Sequence, residues 1–202
     1  MRIQAVYLDF GGVIFCTVDR EPRRRLAEHF HMSYREMEKF VFESESSRRA
    51  SVGEITEENH WLNVLDALKV DHGQKDDFVN RFFGGDELNQ SLLGFMKRLR
   101  PDVRIGLISN AWSGLRAWLT GQGIADQFDQ MIISAEVGVM KPDQRIYHLA
   151  LDEAGITPAE TVFMDDMPAN VDAAKALGMH GIHFRQAEPA IAELKRILNS
   201  SK

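Results

Sequence analysis

Near the start of the chain an apolar run, Val6-Tyr7-Leu8, stops at Asp9 and passes through Phe10 into a glycine pair, Gly11-Gly12, before Val13-Ile14. A short apolar run bounded by turn residues reads as a buried strand. In open α/β sheets ligands gather beyond the carboxyl ends of the strands, so a carboxylate that closes such a strand stands where chemistry takes place. The other use of an aspartate at this point is to cap a turn or helix by accepting bonds from nearby backbone N–H groups.

Short β-rich runs at Gln4 to Leu8, Val103 to Ile108, Met131 to Ile133, Thr161 to Met164 and Gly181 to Phe184 alternate, in the second half of the chain, with helix-period segments. That alternation predicts an α/β fold, a doubly wound parallel sheet with helices on both faces. Asp143 can cap a helix through Ala154 that Gly155 ends, and Pro168 can open a helix that Gly178 closes. From about Thr17 to Asp86 the chain reads as helices only: Ser33 with Glu36 forms a capping-box pattern, and Leu62, Leu65 and Leu68 follow Thr56 and Trp61 at helical spacing. A crossover needs far fewer residues. The expectation is a small all-helical cap inserted after the first strand, over the mouth of the site, with a core of residues 1–16 and 87–202 and a cap of 17–86. Gly84-Gly85 is either a hinge where the chain returns or an ordinary turn.

Composition narrows the function classes. With 202 residues, 44% hydrophobic and 27% charged, the chain suits one globular domain, or a core carrying a small insertion. A formal net charge of −6 argues against non-specific nucleic-acid binding, which needs a basic surface. The cluster Arg23-Arg24-Arg25 reads as a solvated helix face, with contact to an anionic substrate as the alternative. The single cysteine, Cys16, excludes an intrachain disulfide framework and fits a reducing compartment. No stretch approaches the length of a membrane span, so the expectation is a soluble, cytoplasmic protein with no membrane partner.

Three later strand ends match Asp9. The second strand finishes Leu107-Ile108-Ser109-Asn110, the third leads to Met140-Lys141-Pro142-Asp143, and the fourth finishes Val162-Phe163-Met164-Asp165-Asp166. A carboxylate, a hydroxyl, a cation and a carboxylate pair together form a site of complementary charges. Adjacent aspartates repel unless a cation sits beside them, and hard oxygen ligands suit Mg²⁺. Alternatively Asp165 and Asp166 cap the helix that begins near Pro168, a role compatible with the first.

With these residues in place the chain resembles the haloacid dehalogenase superfamily of aspartate-nucleophile hydrolases with a helical cap after the first strand and a Rossmann-like core. Asp9-Phe10-Gly11-Gly12-Val13 is similar to the first motif, Ser109-Asn110 to the second, Lys141-Pro142 to the third and Asp165-Asp166 to the fourth. The resemblance implies that Asp9 attacks phosphorus to form an aspartyl-phosphate. It also implies that Ser109, with backbone N–H groups near Gly11, Gly12 and Asn110, binds the phosphoryl oxygens, and that Lys141 neutralises the gathering charge. Mg²⁺ would be held by Asp9, the Gly11 carbonyl and Asp166, with Asp165 acting through water and Asn170 supporting it.

One departure stands out. Phosphatases of this family usually carry a second aspartate two residues after the nucleophile, as the general acid and base; here that position is Gly11. Some similar relatives that act on sugar phosphates, such as glucose 1-phosphate, also have glycine there, and share a stretch like Gly53-Glu54-Ile55. The expected activity is therefore Mg²⁺-dependent hydrolysis of small phosphorylated metabolites, sugar phosphates foremost, by a monomer or homodimer. Two alternatives remain open: a metal-free 2-haloacid dehalogenase, whose halide leaves without protonation, and a phosphate-ester sensor of low turnover. Substrate identity is expected to reside in residues 17–86. Trp112 either stacks on a sugar ring or packs against the neighbouring helix.

Overall fold

The computed structural model describes residues 2–200. In chain order the strands are β1 (Ala5–Leu8), β2 (Phe15–Thr17), β3 (Asp86–Leu88), β4 (Arg104–Ser109), β5 (Gln130–Ile133), β6 (Thr161–Asp165) and β7 (His180–His183). Helices α1 (Glu21–His29), α2 (Tyr34–Phe42), α3 (Glu45–Ser51), α4 (Glu57–Leu68) and α5 (Lys75–Phe82) lie between β2 and β3. They are followed by α6 (Gln90–Leu99), α7 (Leu115–Gly121), α8 (Ser134–Val137), α9 (Gln144–Ala154), α10 (Pro168–Ala176) and α11 (Ala187–Ser200).

Five parallel strands form one sheet in the order β5-β4-β1-β6-β7. All four residues of β1 are buried, because both faces of a parallel sheet are covered by helices and no position can stay polar. Successive residues of a strand point to opposite faces. Val6 and Leu8 accordingly join a cluster with α6, α7 and α11, while Ala5 and Tyr7 join a second with α9 and α10. From β1 the chain adds β4 and β5 on one side and later β6 and β7 on the other, so the order reverses at β1. Leu8 pairs with Leu107 and with Met164, which brings Asp9, Ser109 and Asp165 to the same edge. The expected doubly wound α/β core is present.

The helices start and stop where the capping chemistry directs. Ser33 and Glu36 form a complete capping box on α2. The Asp143 side chain caps α9, and Gly155, in the left-handed conformation, ends it. Pro168 opens α10.

Residues 17–86 depart from the helices-only expectation at both ends. β2 and β3 pair antiparallel, with Phe15 opposite Leu88 and Thr17 opposite Asp86, and so tie the outgoing chain to the returning one. Each strand has three residues, too few for a pattern, and they lie far apart in sequence. The Gly85 carbonyl accepts the N–H groups of Val18 and Asp19. A Cβ on Gly85 would lie 1.7 Å from the Asp19 carbonyl oxygen, so only glycine permits this approach.

Helices α1 to α5 bury a third apolar cluster that includes Leu26, Met37, Val41, Trp61, Leu65 and Phe82. The buried stripe of α4 is His60, Trp61, Val64 and Leu65, with Leu62 only half-buried. Arg24 and Arg25 pair with Glu21 on the surface of α1, as a solvated face should. Arg23 corrects that reading: it is 3% exposed and bonds to Glu38, Asp86, Tyr34 and the Phe82 carbonyl.

The helical segment is seated on the carboxyl end of the sheet. The Trp112 indole donates to Ser47 Oγ at 3.3 Å, the Glu57 N–H donates to Ser113 Oγ at 3.1 Å, and α3 packs on α8. Among the described residues no helix is long and apolar enough to cross a membrane.

Candidate active site

Asp9 follows β1 directly and is 8% exposed. Its Oδ1 accepts the Phe10 N–H at 2.7 Å and pairs with Lys141 Nζ at 2.8 Å. Burial pushes the Asp9 carboxyl up to about 6; Lys141 and Ser109 oppose the rise, and the charge of Asp165 adds to it.

Lys141 is 3% exposed and uses all three of its donors, on Asp9, on Asp165 Oδ2 at 2.7 Å and on the Ile108 carbonyl at 2.8 Å. Its backbone is held in turn by Asn110, whose Nδ2 donates to the Lys141 carbonyl at 2.9 Å and whose Oδ1 accepts the Lys141 N–H at 2.7 Å. The Asn110 amide therefore fixes the loop that delivers the lysine. Among the residues singled out from sequence, this is a role that a lone Ser-Asn pair does not signal.

The two adjacent aspartates have different surroundings. Asp165 is fully buried and saturated: Oδ1 accepts the Met167 N–H at 2.8 Å, Oδ2 accepts Lys141, and Asn170 Nδ2 reaches both oxygens at 3.1 Å. It anchors Lys141 and, through the Met167 N–H, holds the turn that leads into α10, but it does not cap that helix, whose N-terminus has no side-chain cap. Asp166 is half-buried, and its carboxyl is raised above the usual range by burial and by the neighbouring charge of Asp165. Its backbone carbonyl lies 2.9 Å from Nε2 of His183, the last residue of β7, a contact with no local signal in the sequence.

Gly12 has φ +73°, and a Cβ there would lie 2.5 Å from Asp166 Oδ2, so the glycine makes room for that carboxylate. Gly11 is exposed and a Cβ there meets nothing within 4 Å, leaving the usual acid–base position open.

Asp9, Asp165 and Asp166 each bring a carboxylate oxygen within 4.8 Å of the others. One ammonium faces three carboxylates, a formal balance of 1 − 3 = −2. Buried charge of one sign is costly unless compensated, so this donor set fits a divalent cation bound by hard oxygen ligands.

Trp112 is half-buried among the aromatics of the helical segment, 4.3 Å from His60, 5.3 Å from Trp61 and stacked on Phe42 at 5.9 Å between ring centres. The packing role expected for it is present. A cavity of about 700 Å³ lies at the other, amino-terminal edge of the strands. There Arg100 and Arg104 are committed to Asp129 and to the Ala154 carbonyl, and none of the four strand-end groups contributes.

Comparison with known proteins places this arrangement. Residues 3–178 match the model of the haloacid dehalogenase-like hydrolases. The pyrimidine 5'-nucleotidase YjjG of Escherichia coli is 27% identical over 151 residues, 64% of this chain and 67% of that protein. The D-ribitol-5-phosphate phosphatase of Bacteroides thetaiotaomicron is 26% identical over 145 residues, 63% of this chain and 70% of that protein. Other curated relatives are longer, and this chain spans only 7% of one of them and 59% of another. A solved haloacid dehalogenase family enzyme from Bacteroides thetaiotaomicron, in complex with magnesium and inorganic phosphate, superimposes with a TM-score of 0.74 over 92% of this chain and 96% of that one, at 23% identity. The order of the four strand ends, the charges they carry and the match along most of its length make this chain a member of the haloacid dehalogenase-like hydrolase family.

Proposed function

We propose that the protein is a Mg²⁺-dependent phosphomonoesterase acting through an aspartyl-phosphate on small phosphorylated metabolites, sugar phosphates foremost. The observation that carries this reading is the deficit of two positive charges around Asp9. Asp9, Asp166 and the Gly11 carbonyl would hold the ion, and Asp165, already saturated, would act through water. When bound, Mg²⁺ supplies the positive charge that lets a phosphate dianion approach the Asp9 carboxylate.

Asp9 presents its carboxylate to phosphorus; a new P–O bond forms to the aspartate as the P–O bond to the alcohol breaks. Lys141 fixes the attacking carboxylate and stabilises charge on the phosphoryl group, while the Ser109 hydroxyl and the N–H groups of the Gly11-Gly12 loop receive its oxygens. The departing alkoxide takes its proton from water, from the substrate or from a group of residues 17–86, because Gly11 offers none. Water then attacks the phosphorus of the acyl phosphate, releasing phosphate and regenerating Asp9. Residues 17–86 act as a cap that excludes bulk water, and 1–16 with 87–202 form the catalytic core. Burial pushes the Cys16 thiol up to about 11, so it stays protonated and is no competing nucleophile at neutral pH.

A dehalogenase that works without metal is disfavoured, since nothing would then offset the repulsion among Asp9, Asp165 and Asp166 or between them and a haloacid carboxylate. Phosphate release measured across sugar and nucleotide phosphates, with and without Mg²⁺ and beside Asp9→Asn, tests the proposal. Release is expected to need Mg²⁺ and to fall on the order of 10⁴-fold in the variant. Release that persists in Asp9→Asn removes Asp9 from its role, and chloride release from 2-haloacids without metal favours the dehalogenase. Installing the absent group through Gly11→Asp, into open space, should raise turnover of esters with poor leaving groups by about 10²-fold or more.

A further inference from the structure

Aromatic side chains form an arc between the two loops that flank the catalytic carboxylate. Phe10, the residue after Asp9, stacks on Phe15 at 5.5 Å; Phe15 meets Phe83 at 6.2 Å; Phe83 meets Phe42 at 6.2 Å; and Phe42 stacks on Trp112 with ring planes 26° apart. Trp112 closes the arc three residues after Ser109, the buried last residue of β4. The arc therefore leaves the core beside the nucleophile, crosses the helical segment and returns beside the phosphoryl-binding hydroxyl.

Most of its members are half-buried, but Phe42 is 43% exposed, and it is the only aromatic among the large hydrophobics exposed to that degree in the described residues. Its position is fixed: it ends α2, rests on Phe82 at 5.3 Å and has the Arg23 guanidinium 5.8 Å from its ring centre. A lone exposed apolar residue carries no message. A rigid ring supported by four aromatic or cationic neighbours, on an arc anchored at both ends to the catalytic loops, is a built surface.

We propose that Phe42, held by Trp112, is the specificity platform that receives the organic part of the phosphate ester, and that it selects alcohols presenting the apolar face of a ring over short acyclic ones. This inference rests on the phosphomonoesterase reading and names its substrate class. A pyranose offers an axial C–H face and an aryl group offers a π face, and both stack on an aromatic ring; phosphoserine and glycerol 3-phosphate offer neither. The platform sits on the helical segment while the chemistry sits on the core, so the ring is read separately from the phosphate.

The test compares kcat/KM for glucose 6-phosphate and phenyl phosphate with that for O-phosphoserine and glycerol 3-phosphate, in the Mg²⁺-loaded protein and in Phe42→Ala and Phe42→Tyr. The ratio of ring to acyclic substrates should fall about 10-fold in Phe42→Ala, through KM rather than kcat, and be kept in Phe42→Tyr. The two ring esters separate a carbohydrate platform from an aryl one. Tryptophan emission in the Asp9→Asn background gives a readout without turnover: Phe42→Ala should weaken phenyl phosphate or glucose 6-phosphate about 10-fold more than inorganic phosphate. An unchanged ratio, or equal weakening of inorganic phosphate, overturns the platform. Hydrolysis of no ester by the wild-type protein, with the Phe42-dependent binding retained, removes the phosphatase and leaves the platform standing.

Discussion

Two cations are buried in this molecule to the same extent, Lys141 in the core and Arg23 in the helical segment, each 3% exposed, and their surroundings differ in kind. Arg23 donates to the Phe82 carbonyl, to Tyr34, to Glu38 at 2.8 Å and to Asp86 at 2.6 Å, and lies 4.3 Å from the Phe82 ring centre. Glu38 is partly solvated, so the guanidinium is matched locally and links α1 to α2, α5 and β3. Lys141 also spends every donor, yet three carboxylates remain gathered around a single positive charge. Burial with compensation marks a structural cation; burial with an excess of the opposite charge marks a candidate cation site.

The comparison breaks if the two cations respond alike to replacement. Lys141→Met should cost about 10²–10³-fold or more in kcat, the range for loss of one preorganised charge-stabilising donor, measured as phosphate release at saturating Mg²⁺. Arg23→Met should instead leave Asp86 buried without its partner and destabilise the fold by about 3–5 kcal/mol, read as a lower urea midpoint, with kcat within a few-fold of wild type. Equal kinetic losses in the two variants would dissolve the distinction.

A smaller effect sharpens the same contrast on the side of the helical segment. His60 is fully buried beside Trp112, and burial holds its imidazole down at about 4 from an ordinary value of 6.5. Between those values the unfolded chain takes up the proton and the folded protein does not. Stability should therefore fall as pH drops from about 6.5 through 4, by up to about 3 kcal/mol. Chemical denaturation across that range, beside His60→Phe, checks it: the variant should lose this part of the pH dependence.

How much of this was legible in the sequence follows the range of each interaction. The run that ends at Asp9 is apolar without alternation because β1 is covered on both faces, and that signal is local. The Ser33 and Glu36 capping box and the Asp143-to-Gly155 helix are local too, and they stand as read. The family resemblance that implies phosphoryl transfer was visible only because three strand ends and the loop after α8 offered complementary groups in order, each weak alone. What escaped was nonlocal. The β2–β3 pair joins residues about 70 positions apart; Arg23 was indistinguishable from Arg24 and Arg25 until α5 and β3 packed on it; and the Asn110 amide was free to face a ligand until the Lys141 backbone claimed it.

The central claim is that Asp9, Asp165, Asp166 and Lys141 form a pocket two positive charges short. Calorimetric titration of MgCl₂ into the metal-free protein at pH 7, paired with thermal unfolding, addresses it directly. The account expects one ion per chain. At about 100 times the dissociation constant it expects roughly 2.7 kcal/mol of added stability, with both effects lost or sharply weakened in Asp166→Asn. A protein that shows neither heat nor stabilisation, or one that binds the ion equally well without the Asp166 carboxylate, would contradict it.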